Sequence, residues 1–170
     1  MLFNSLQFLL FLPIIVILYF ALPYRYRWAL LLAGSYFFYM CWRVEYIILI
    51  IASTLIDYYS GIKIEESKNK KTKKKFLFLS LFFNLGLLGL FKYYNFFTEN
   101  IESGLNSMFN FSNGGIDLPY FDFLLPVGIS FYTFQTLSYT IDVYKGRKSA
   151  ERHIGIFALY VSFFPQLVAG

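Results

Sequence analysis

Leu124 to Gly146 reads LLPVGISFYTFQTLSYTIDVYKG, a run with no charge between Val127 and Ile141 that is nevertheless not uniformly apolar. Placed on a helix at about 100° per residue, Gly128, Tyr132, Gln135, Tyr139 and Asp142 fall on one narrow face. Val127, Phe134, Leu137 and Ile141 cluster on a face turned well away from it. Ser130, Thr133, Thr136 and Thr140 form a third stripe between the two. One apolar face beside two polar or small ones, in so aromatic a segment, suits a helix in a membrane bundle with a lined interior.

The whole chain supports that reading. It has 170 residues, 58% hydrophobic and 23% aromatic, with 22 Phe and 15 Tyr and a mean hydropathy of +0.54. Soluble domains average about 45–50% apolar residues by a count that includes glycine, and here the excess exists without it. At about 20 residues per span the length allows five or six spans. The net charge of +5 is concentrated: 13 of the 15 Lys and Arg lie at Arg25 and Arg27, from Lys63 to Lys75, and from Lys145 to Arg152. Basic clusters placed between apolar runs mark membrane topology, not a nucleic-acid surface. The one cysteine, Cys41, excludes an internal disulfide framework and a multi-cysteine metal site.

Taken in order, the first span is expected at about Leu2 to Leu22 with Pro13 inside it, retained because no basic n-region or small-residue cleavage site marks a signal peptide. Trp28 to about Trp42 and Val44 to about Tyr59 form a tight hairpin of two short spans. A solvated basic loop follows over 61–75, then a span from Phe76 to about Phe97. Residues 98–122 read as a loop rich in Asn, Ser and Gly, with four acidic residues and no basic one. The opening stretch is the fifth span, and a last apolar run, Ile154 to Gly170, is broken by Pro165. The fold class is thus all-α: one polytopic membrane domain over 1–170, with about six transmembrane or re-entrant helices. Alternating the spans collects the three basic clusters on one side, which the positive-inside rule assigns to the cytoplasm, with the N-terminus and the 98–122 loop outside. The location is the inner or plasma membrane, with lipid as the surrounding partner.

Among possible site residues, Lys92 is the most expensive, at about 2.5–3.5 kcal/mol for a mid-helix lysine. It either snorkels to the interface or belongs to an inward stripe with Asn84, Leu88 and Asn95. Asp57 and Asp142 are expected at span ends, where a carboxylate caps, pairs with a cation or lines an entrance. Tyr132, Gln135 and Tyr139 form a set that either bonds between helices or lines a substrate passage. His153, the only histidine, reads as solvated in a basic connector. No metal-ligand spacing, phosphate loop or nucleophile elbow is present. The residues alone give a polytopic membrane protein without an assigned activity.

Four stretches together resemble the membrane-bound O-acyltransferase family, in its bacterial alginate O-acetylase branch. The clearest is Leu125-Pro126-Val127-Gly128-Ile129-Ser130-Phe131-Tyr132-Thr133-Phe134-Gln135, continuing through Tyr139 to Ile141-Asp142-Val143-Tyr144-Lys145-Gly146. The second is Phe163-Phe164-Pro165-Gln166-Leu167-Val168-Ala169-Gly170. Two weaker ones are Trp42-Arg43-Val44-Glu45 and Phe91-Lys92-Tyr93-Tyr94-Asn95-Phe96-Phe97. Their order and spacing are similar to the family's first third.

The resemblance implies a funnel-shaped helical bundle. It implies transfer of an acyl group, typically acetyl, from a cytoplasmic thioester such as acetyl-CoA towards hydroxyls of an exported polysaccharide such as alginate. Periplasmic or extracellular acetyltransferase partner proteins complete the transfer, and no bound cofactor or nucleic acid is expected. Tyr132, Gln135, Tyr139, Asp142, Lys92 and Gln166 become candidate linings of the funnel or substrate path. The family's catalytic histidine lies downstream of the Phe-Pro-Gln motif, so His153, which precedes it, is not its equivalent. The chain is therefore expected to be the N-terminal portion of a longer enzyme and inactive alone. A transporter or flippase component and a non-catalytic membrane scaffold are the alternatives.

Overall fold

The computed structural model describes residues 5–41, 44–109 and 128–169. Among them every regular element is helical: α1 (Leu6–Ala21), α2 (Tyr24–Met40), a single 3-10 turn (Val44–Tyr46), α3 (Ile47–Glu66), α4 (Lys70–Phe109), α5 (Ile129–Tyr144), α6 (Ile154–Ser162) and α7 (Phe164–Ala169). Two stretches, Val44–Glu66 and Lys70–Tyr94, are long and apolar enough to cross a membrane, while α1 and the run Ile154–Leu167 are shorter apolar helices.

Local chemistry sets the boundaries. Ser5 caps α1, its Oγ accepting from the Phe8 amide at 3.2 Å. The helix stops at the residues before Pro23, where the proline ring disfavours a helical predecessor. Pro13 stays inside α1, where it removes one backbone donor. α2 starts at Tyr24, so Arg25 and Arg27 lie in its first turn and not in a loop. Arg27 Nε donates to the Leu22 carbonyl at 3.2 Å while its guanidinium lies 4.9 Å over the Tyr19 ring.

The helices reach further than the apolar runs suggested. α3 continues past Tyr59 to Glu66, and only residues 67–69 separate it from α4. Asn69 opens α4, its Oδ1 accepting from the Lys71 amide at 2.9 Å. Most of the stretch expected as a basic loop over 61–75 is therefore helix, since lysine is a good helix former and nothing between Lys70 and Phe76 breaks the helix. At the other end α4 continues through Thr98 to Phe109, into the stretch expected as a loop over 98–122; residues 110–122 lie outside the described residues.

α3, α4 and α5 pack most closely and hold the main core, with α6 covering α2 and α3. A second, smaller core joins α1, α2 and α7 through Phe11, Ile15, Phe38 and Phe164. The three basic segments meet at one end of the bundle. Arg152 pairs with Glu65 at 2.6 Å and Glu66 at 2.9 Å at the end of α3, and the Trp28 ring near the start of α2 sits 4.7 Å from the His153 ring. Those carboxylates, Glu66 first, hold the Arg152 guanidinium above its ordinary value.

Candidate functional site

α5 is the element most enclosed by its neighbours, and the stripe it buries deepest is the threonine one. Thr133, Thr136 and Thr140 are buried, whereas Phe134 on the apolar face is 60% exposed. The threonines meet a polar knot that contains a carboxylate. Asp57, near the middle of α3, has no exposed surface. Asn84 Nδ2 on α4 reaches both of its oxygens at 2.9 Å, and Ser80 Oγ donates to Oδ1 at 2.5 Å. Ser53 Oγ donates to Asn84 Oδ1 at 2.6 Å and lies 3.5 Å from Asp57 Oδ2. α5 joins through Thr136 Oγ1, 3.5 Å from Asn84 Oδ1, and Thr140 Oγ1, 3.3 Å from Ser80 Oγ. The carboxyl group has donors from two helices and no exposed surface, so no reacting atom reaches it. Its chemistry is to hold three helices in register.

This places Asp57 differently from its expected position at a span end. Tyr58 and Tyr59 imitate an interfacial aromatic pair, but Gly61, Ile62 and Ile64 carry the buried face of α3 onward. The signal that pointed to the knot was Asn84. Serine and threonine weigh little on a hydropathy scale, so Ser53 and Ser80 gave almost none, and Thr136 and Thr140 showed only as part of a small polar stripe on α5.

The residues singled out from sequence separate into groups. Gln135 and Gln166 come together: Gln135 Nε2 donates to the Tyr160 carbonyl at 2.9 Å and lies 3.5 Å from Gln166 Oε1. Gln135 Oε1 is buried without a partner. Tyr139 lies below this pair, its hydroxyl accepting from the Glu151 amide at 2.9 Å. There a cavity of about 140 Å3 is lined by Tyr139, Lys148, Glu151, Ile156, Phe157 and Tyr160. The Lys148 ammonium stands 5.5 Å over the Tyr139 ring and 5.4 Å over the Tyr160 ring. Small-molecule sites run to about 300–1,000 Å3, so this cavity admits a group and not a whole ligand.

Tyr132 is 1% exposed in the same core as Tyr39 and Tyr46, and its hydroxyl has no hydrogen-bond partner. Asp142 is half-exposed, 3.8 Å from Arg147. Lys92 is exposed on α4, 5.6 Å over the Tyr93 ring, although Asn84 and Leu88 of its expected stripe are buried; the Asn95 side chain lies outside the described residues. His153 is exposed, as expected, and also caps α6, its Nδ1 accepting from the Ile156 amide at 3.2 Å.

Two glycines bring α5 and α6 close to their neighbours. Gly128 enters α5 at φ +76°, where a Cβ would stand 2.4 Å from the Leu167 carbonyl oxygen. At Gly155 a Cβ would stand 2.1 Å from the Trp28 ring.

No family model matches the chain. No solved structure matches it either. Curated proteins do. The probable alginate O-acetylase AlgI of Pseudomonas syringae pv. tomato is 41% identical over 174 residues, covering all of this chain and 32% of the relative. The protein of the same name from Pseudomonas aeruginosa is 39% identical over 172 residues, again over the whole chain and 32% of the relative. The peptidoglycan O-acetyltransferase of Helicobacter pylori is 33% identical over 200 residues, covering the whole chain and 36% of the relative. The chain spans about a third of the length of these relatives and corresponds to their N-terminal part. The match runs over the whole chain, including the Gln135 and Gln166 stretches that meet in space, and makes it similar to the N-terminal third of acetyltransferases of the membrane-bound O-acyltransferase type.

Proposed function

We propose that this chain forms the N-terminal wall of a membrane O-acetyltransferase that esterifies hydroxyls of an exported polysaccharide such as alginate. In that reaction a polysaccharide hydroxyl adds to the carbonyl of an acetyl thioester, the C–S bond breaks, and an ester and a free thiol leave, with the hydroxyl proton passing to the thiolate. The donor is acetyl-CoA or another acyl thioester on the cytoplasmic side. The proton-handling group is a histidine beyond this chain, and the 170 residues alone do not carry out the reaction.

One observation carries the reading: the whole chain aligns with acetyltransferases for two different polymers, and the polar edge of α5 is what such an enzyme needs beside its substrate path. Gln135 and Gln166, which meet between α5 and α7, and Ser138 and Asp142 further along α5 are half-buried or exposed. In a bilayer such groups face a lined cavity and not lipid. Gln135 Nε2, held by the Tyr160 carbonyl and near Gln166 Oε1, sets the geometry of that edge. Six transmembrane or re-entrant segments, an external N-terminus, the basic end in the cytoplasm, membrane lipid around the bundle and periplasmic partner proteins complete the proposal.

The test uses membranes containing the complete gene product, a labelled acetyl thioester, and alginate or peptidoglycan as acceptor. Alkali-labile acetyl esters are expected on one acceptor, and Gln135→Leu is expected to lower the rate about tenfold at equal protein abundance, an effect of a single lost polar contact. Folded protein that acetylates none of the polymers sinks the reading.

A further inference from the structure

Asp57 is the one carboxyl group in the described core that the proposed transfer chemistry does not use. Such a residue is costly inside a bilayer, and apolar side chains would pack three helices together without it. What apolar packing does not supply is rotation. Lipid tails are as apolar as leucine, so helices sliding or turning against one another lose little hydrophobic energy. Directional hydrogen bonds do set rotation, and in this bundle they reach α5 at two residues four apart, Thr136 through Asn84 and Thr140 through Ser80. Both relays end on Asp57. A turn of α5 by one residue, about 100°, would exchange Thr136 for Gln135 in the knot and swing the Gln135 amide away from Gln166.

We propose that Asp57 is a positioning residue for the acyl transfer: through Asn84 and Ser80 it fixes the rotation of α5 and so the Gln135–Gln166 edge. This rests on the acetyltransferase reading. The role is indirect, since Asp57 touches neither Gln135 nor the open edge. Gly61 fits the same design. It lies one turn further along α3, and a Cβ there would stand 3.0 Å from the Tyr139 hydroxyl, so α3 and α5 are close enough for short polar side chains to bridge the gap through α4.

The experiment has two readouts in the complete gene product. The first is rotation: in a background with Cys41 and every other native cysteine replaced by serine, Gln135→Cys with Gln166→Cys reports whether the two positions still meet, as the rate of oxidative cross-linking. The second is acetyl transfer, with kcat and KM separated, in protein that retains both glutamines. Thr136→Val with Thr140→Val leaves the Asp57–Asn84–Ser80 contacts intact and cuts only the tether to α5. It is expected to slow the cross-link at least tenfold, and to lower kcat at least tenfold with the donor KM within twofold and the melting temperature unchanged. Asp57→Leu is expected to lower kcat at least as far. Asp57→Asn alone is expected to fall between, and the reciprocal pair Asp57→Asn with Asn84→Asp to restore most of the rate. A double valine variant with unchanged cross-linking, or with slowed cross-linking but unchanged kcat, overturns the proposal. If the parent protein transfers no acetyl group, the acetyltransferase reading falls, and the cross-link alone then decides the rotation: slowing supports the control by Asp57 and an unchanged rate overturns it.

Discussion

The two cores of this bundle hold helices together by different means. Around Asp57, α3, α4 and α5 meet through a carboxyl group, an amide and four hydroxyls whose partners are fixed in direction. Around Phe38, α1, α2 and α7 meet through rings: Phe11 and Phe164 edge-on at 5.5 Å, Phe8 and Phe38 at 5.9 Å. Only Phe11 and Ile15 of α1 are buried, and the rest of that helix, apart from Gln7 near its start, presents apolar or aromatic side chains on every side. A helix of that kind adheres without a preferred face, whereas α5 has one orientation in which its threonines are satisfied. The lesson is that polarity inside a membrane bundle specifies arrangement, and apolar area fills space around it.

Three substitutions probe that contrast. The largest effect is expected for Asn84→Leu, which strips an amide from both Asp57 oxygens and leaves Ser53 without its short acceptor. Losing donors to a buried carboxyl group should destabilise by about 3 kcal/mol, read as a lowered melting temperature in detergent micelles. A protein that melts like its parent would break the distinction between the cores. Gly155→Ala should come next, at about 1–3 kcal/mol, because the new methyl overlaps the Trp28 ring and the α2–α6 contact must open. Trp28→Leu in the same chain should recover most of the loss, which identifies sterics and not backbone conformation as the cause. Phe38→Leu should be mildest, under about 1.5 kcal/mol, since neighbouring rings and lipid refill the space. A larger loss there would mean that the ring geometry is itself specific.

The helices were legible because 20-residue apolar runs and the period of α5 are strong signals. Which face of α5 turned inward was only half legible. Tyr132, Gln135 and Tyr139 drew attention as large polar groups, and Tyr132 and Tyr139 are buried, but the binding contacts to α3 and α4 come from the smaller Thr136 and Thr140. A hydroxyl that also bonds its own helix, as Thr140 does to the Thr136 carbonyl at 3.1 Å, is nearly neutral in any hydropathy count. Asp57 was visible as a residue and hidden as a site, because its donors come from Ser80 and Asn84, more than twenty positions away. The solvated reading of His153 holds, but its capping role went unseen, because a cap is recognised from where the helix begins and the basic residues around it obscured that start.

α4 has a mechanical consequence. Its 40 residues make a rod about 60 Å long at 1.5 Å per residue, roughly twice the hydrocarbon thickness of about 30 Å. Lys70–Tyr94 is the part apolar enough to cross a membrane, and the remaining turns, bearing Glu99 and Glu102, continue it as the same helix. The same helix supplies Ser80 and Asn84 to the Asp57 knot, so the turns beyond Tyr94 are continuous with the element that meets α5.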